Sequence, residues 1–105
     1  MELRGKKLGL MIACPPDQPG FQHGLRIADA ALIAGVDVYL YCIDQAVPGI
    51  AEPALQALKP RGLKLYACAF GAQKNELPLN DQAVFAGLTV VSDIIADTDR
   101  FVGFT

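Results

Sequence analysis

The chain has 105 residues, 52% of them apolar and 19% charged, with a formal net charge of −2 and a pI near 5.1. That length suits one domain, the acidic balance leaves no basic footprint for nucleic acid, and Gly, Asp and Pro interrupt each apolar run before it reaches membrane-spanning length. So apolar a composition in so small a domain leaves more apolar side chain than one subunit can hide, which predicts a homo-oligomer burying the excess between subunits.

The N-terminal Met1-Glu2-Leu3-Arg4-Gly5-Lys6-Lys7 runs into an apolar stretch that meets Cys-Pro-Pro-Asp, not a small-residue cleavage site. A cytoplasmic protein is therefore expected. Leu8 to Ala13 is a continuous apolar run of strand length, as in a strand buried on both faces. Cys14-Pro15-Pro16-Asp17-Gln18-Pro19-Gly20 must be a loop. From Phe21 to Ala34 the period changes, with Phe21, Leu25, Ala28 and Leu32 on one stripe of an amphipathic helix that Gly35 closes.

Val36 to Ile43 reads as the second strand, Asp44 to Ile50 as a loop, and Glu52 to Lys59 as a short helix stopped by Pro60. Gly62 leads into a third strand, Leu63 to Ala67, ending at Cys68. Gly71 to Leu77 is a short helix stopped by Pro78, and Asn80-Asp81 is a turn. Ala83 to Ala86 is a short strand, Leu88 to Ala96 a helix by the spacing of Leu88, Val91 and Ile95, and Arg100 to Phe104 a closing strand. Alternating strands and helices with short crossovers call for an α/β domain over residues 1–105, with a parallel sheet and helices on its faces.

Cys14, Cys42 and Cys68 are an odd count without a Cys-x-x-Cys pair. That argues against a disulfide framework and against structural zinc, and favours free thiols in a reducing compartment. Cys68 stands out, because a thiol at the carboxyl end of a strand facing the next helix meets N–H groups that favour thiolate. It is the candidate nucleophile or sulfur-carrying residue, with Lys74 adding positive charge; the plainer reading is a buried small hydrophobe. Cys14 also follows a strand and is a candidate resolving thiol or second acceptor across the sheet edge from Cys68, the plainer reading being a thiol without a role, whereas Cys42 alternates with Val36, Val38 and Leu40 and reads as core. His23, the single histidine, is expected in the first turn of the first helix, as a candidate general acid or base or a solvated residue.

The loop after the first strand is a poor phosphate cradle, since Pro15, Pro16 and Pro19 each lack an N–H and the loop has one Gly and no hydroxyl. Asp93, Asp97 and Asp99 read as a solvated helix face and its end, not a metal cluster, and with one histidine and one serine, Ser92, no Ser-His-Asp arrangement can be assigned. No cofactor and no metal are expected.

The first helix and following strand, Gly-Leu-Arg-Ile-Ala-Asp-Ala-Ala-Leu-Ile-Ala-Gly-Val-Asp-Val, resemble the DsrE/DsrF-like family. So do Gly-Leu-Lys-Leu-Tyr-Ala-Cys, ending at Cys68, and the tail from Gly87 through Asp99-Arg100-Phe101-Val102-Gly103-Phe104. The resemblance covers nearly the whole chain. It implies a three-layer α/β domain with a mainly parallel, five-stranded sheet, assembled as trimers or hexamers. It also implies kinship with sulfur-relay subunits of the TusD type, in which the cysteine matching Cys68 carries sulfane sulfur as a persulfide between a donor and an acceptor protein. The sequence departs from the family pattern after that cysteine: small residues and a hydroxyl are frequent there, and here Cys68-Ala69-Phe70-Gly71-Ala72 follows. Two functions therefore compete, a sulfur carrier acting through Cys68 and a non-catalytic oligomeric binding or assembly module with Cys68 buried.

Overall fold

Residues 3–105 are described by the computed structural model, in which five strands form one sheet. The strands are β1 (Lys7–Ile12), β2 (Asp37–Cys42), β3 (Lys64–Cys68), β4 (Val84–Ala86) and β5 (Arg100–Phe104). They lie in the order β4-β3-β2-β1-β5, and every neighbouring pair is parallel. The helices α1 (Pro19–Ile33), α2 (Pro53–Gln56), α3 (Ala69–Lys74) and α4 (Leu88–Asp97) fill the crossovers that parallel neighbours require. The expected parallel α/β architecture is the one observed.

Alternation along the strands splits the core in two. Val38, Leu40 and Cys42 of β2 point to one face, where with Leu10, Ile12 and Leu65 they pack against Phe21, Leu25 and Ala28 of α1. Tyr41, one residue out of step, points to the other face and joins Val47, Cys68, Ala72 of α3 and Ile94 of α4. The apolar stripe of α1 is therefore the one the sequence predicts, although the helix begins two residues earlier, because Pro19 has the φ of a first turn and no N–H to leave unpaired. Its far end is a Schellman turn: Val36 N–H donates to Ala31 at 3.0 Å, Gly35 N–H to Leu32 at 3.1 Å, and Gly35 takes φ +84°.

Two stretches differ from the sequence expectation. Residues 44–50, expected as a loop, wind into a 3-10 helix, Asp44–Ala51, because Ala46, Val47 and Ile50 gain burial by it and a short 3-10 turn tolerates Pro48. The helix expected over Glu52 to Lys59 stops at Gln56 and resumes as a 3-10 turn, Lys59–Arg61. Gln56 is drawn inward, its Nε2 donating to the carbonyls of Ile50 at 2.7 Å and Gln82 at 3.0 Å. Lys59 Nζ also reaches Gln82 O, at 2.9 Å. These bonds tie the segment before β4 to the body of the fold.

Cys42 is fully buried. Burial pushes its thiol up to about 12, and the neighbouring Cys14 adds to the rise. A thiol that ionises near 9 in the unfolded chain but near 12 in the folded one contributes stability that is complete below about pH 9 and is lost as pH climbs toward 12. The unfolding free energy from urea titrations should thus fall above about pH 9, this proton contributing a slope approaching ~1.4 kcal/mol per pH unit. A Cys42→Ala variant should show a correspondingly flatter profile, and an identical slope in the variant would contradict the assignment.

Candidate functional site

Cys68 is both the last residue of β3 and the N-cap of α3, so no loop residue separates strand from helix. Its Sγ accepts the Gly71 N–H at 3.3 Å, which satisfies one of the donors left open in the first turn. This cap starts the helix at Ala69, two residues before the expected Gly71. Gly71 lets the turn pack closely, since a Cβ there would stand 2.9 Å from Val47 Cγ2.

The Cys68 side chain is 6% exposed and lines a cleft of about 740 Å³ at the carboxyl edge of the sheet. That size lies within the range of small-molecule sites. Residues after β1, β2 and β4 supply its other walls, namely Ala13, Ile43 to Gln45, and Gly87 with Leu88. Phe70, 72% exposed, and the exposed Leu88 also line it. The bulky residue after the cysteine thus points largely to solvent and does not cover the sulfur by packing inward.

Beneath the sulfur lies Tyr41, wholly buried. Its side chain crosses from β2 past β3 to β4, where the hydroxyl donates to the carbonyl of Ala86 at 3.0 Å. Ala86 is the register partner of Cys68, which places the phenol next to the thiol. Burial raises the Tyr41 phenol well above its usual value, and the neighbouring Cys68 raises it further. The phenol therefore remains a neutral, hydrogen-bonding group beside the sulfur.

Of the other residues singled out from sequence, Lys74 is the exposed last residue of α3 and lines the same cleft as Cys68. Cys14 is not brought to Cys68. It lies two residues beyond Ile12, keeps that residue's face, and packs with Cys42 in the α1 cluster, on the opposite side of the sheet. The juxtaposition expected of a resolving pair is therefore absent. His23 is also elsewhere: with α1 starting at Pro19 it falls beyond the first turn, on the solvent side between buried Phe21 and Gly24. Among the described residues no group of His, Cys, Asp and Glu could hold a metal ion, and no helix is long and apolar enough to cross a membrane.

Sequence reasoning missed Tyr41, Asp44, Gln45 and Asn75. Tyr41 was within reach of strand alternation, since being one residue out of step with Cys42 puts it on the face of Cys68. The other three owe their places to the 3-10 helix after β2 and to the end of α3, which local patterns do not show. Asn75 Nδ2 donates to Gly71 O at 2.7 Å, bracing the short helix that carries the cap.

No family model matches the sequence, and no curated protein is a significant match. Among solved structures, the chain is similar to the ychN protein from E. coli, with a TM-score of 0.81 over 94% of this chain and 99% of that one. At 17% identity the likeness is one of fold, and it agrees with the parallel α/β architecture expected above.

Tyr41→Phe should cost about 1–2 kcal/mol in urea unfolding, by stranding the Ala86 carbonyl. The same change should slow alkylation of Cys68 in the native protein at fixed pH, because the sulfur loses its polar neighbour. Site-resolved mass spectrometry checks this; an unchanged rate would remove Tyr41 from the account of the thiol.

Proposed function

We propose that the protein is a sulfur carrier of the sulfurtransferase type, accepting and passing sulfane sulfur as a persulfide on Cys68. The observation that carries this reading is the placement of one sulfur at a strand end, on the wall of an open cleft, with the Gly71 N–H directed at it. The Cys68 thiolate attacks the outer sulfur of a donor persulfide; the new S–S bond forms as the donor's breaks, and the electron pair leaves with the donor thiolate. Transfer onward is the same exchange with Cys68–S–SH as donor. Such exchange needs access, a directed thiolate and docking, but no metal or bound cofactor.

Exposed apolar side chains support a role for partners. Phe70 and Leu88 border the cleft and offer a docking edge for a partner protein. Leu79, Val84 and Ile95 are 65%, 59% and 52% exposed and supply surface for contact between copies, in a cytoplasmic homo-oligomer, a trimer or hexamer. The competing reading, an assembly module of the same fold, is favoured by the low exposure of Cys68.

Incubation with a persulfide donor followed by intact-mass measurement separates the two. The wild type should gain one reductant-labile sulfur atom, Cys14→Ser and Cys42→Ser should gain it too, and Cys68→Ser should not. Loading that persists in Cys68→Ser, or no loading of the folded wild type, would contradict the carrier. Sedimentation should give a mass that is a multiple of the subunit, and a single-subunit mass would overturn the oligomer.

A further inference from the structure

The cleft beside Cys68 carries two opposite charges that do not neutralise each other. Asp44 and Lys74 both line it, from the end of β2 and the end of α3. Among the described residues neither side chain makes a hydrogen bond, and the ion pair between Arg61 and Asp29 lies outside the cleft. Asp44 is held there at some conformational cost, for its φ of +53° is a left-handed conformation that a non-glycine residue seldom takes. Gln45 and Asn75 add polar groups to the lining, and Phe70 and Leu88 apolar ones.

A carboxylate, an ammonium and a thiol around one cleft of about 740 Å³ complement a ligand with an ammonium, a carboxylate and a sulfur of its own. We propose that the sulfur donor taken by this cleft is a small zwitterionic thiol persulfide of the short-peptide class. Lys74 engages its carboxylate and Asp44 its ammonium, while Cys68 meets its outer sulfur. The inference rests on the carrier reading and names the substrate class of the same site. In the step, the Cys68 Sγ–S bond forms and the peptide S–S bond breaks. The peptide thiolate leaves with the electron pair and takes up the proton that Cys68 gave up, with no net oxidation.

The test measures Cys68 persulfide formation by quenched-flow mass spectrometry with three donors: cysteinyl-glycine persulfide, its N-acetyl form and its C-terminal amide. Each rate is divided by that donor's rate with a free thiol in solution, which removes intrinsic reactivity. The wild type should favour the uncapped dipeptide over either capped form by about fivefold, the scale of one charge-assisted contact in a half-open site. In Lys74→Gln the loss should fall on the two donors that carry the carboxylate. In Asp44→Asn it should fall on the two that carry the ammonium. Equal normalised rates for all three donors in the wild type, or variants that slow every donor alike, would overturn the zwitterion assignment and leave the carrier standing. Failure of all three donors to load Cys68 would overturn the small-peptide assignment, and failure of inorganic polysulfide to load it as well would overturn the carrier.

Discussion

Five strands running the same way place every strand end, and the segment that follows it, on one edge of the sheet. The rest of the molecule depends on that constraint. The chain leaves β1, β2, β3 and β4 at the same edge, so Ala13, Asp44, Cys68 and Gly87 gather around one cleft although they span most of the sequence. Edge placement alone does not direct a side chain. At Cys68 the direction comes from the absence of any loop: strand passes into helix at a single residue, whose sulfur becomes the helix cap.

The sheet also separates the three thiols. Period-2 alternation sends Cys42 to the α1 side and Cys68 to the side of α3 and α4, while Cys14 returns to the α1 side beyond β1. The chemical consequence is a division of roles. Cys42 is wholly enclosed, with its thiol pushed up by burial, and Cys14 is its neighbour. Cys68 alone of the three lines the cleft, with a neutral phenol beneath it and a backbone N–H on its sulfur. A persulfide formed there would have no thiol of its own chain beside it to collapse into a disulfide, a useful property in a carrier that must hand sulfur to another molecule.

Most of the architecture was legible in the sequence because it rests on local periodicity. The apolar run before Cys14, the 3.6-residue stripe of Phe21, Leu25 and Ala28, and the strand ending at Cys68 each reveal their partners by pattern alone. What escaped was set by tertiary burial. The segment Asp44–Ala51 looks like a loop because it contains Pro48-Gly49, yet Val47 and Ile50 wind it inward. The same winding delivers Asp44 and Gln45 to the cleft. Cys14 was misplaced relative to Cys68 because being at a strand end fixes the edge of the sheet but not its face. Tyr41 lies between these cases: its face follows from alternation, while its bond to Ala86 depends on β4 lying beside β3.

Sulfur carriage would depend most directly on Cys68 being a thiol that a reagent in solution can reach. Pulsed alkylation of the native protein, read out for each cysteine by peptide mass spectrometry, measures this without any assumption about donor or acceptor. Cys68, which lines the open cleft, should label well before Cys42, which should react only on the timescale of unfolding. Cys68 protected to the same extent as Cys42 would contradict the carrier and favour an assembly module in which all three thiols are core.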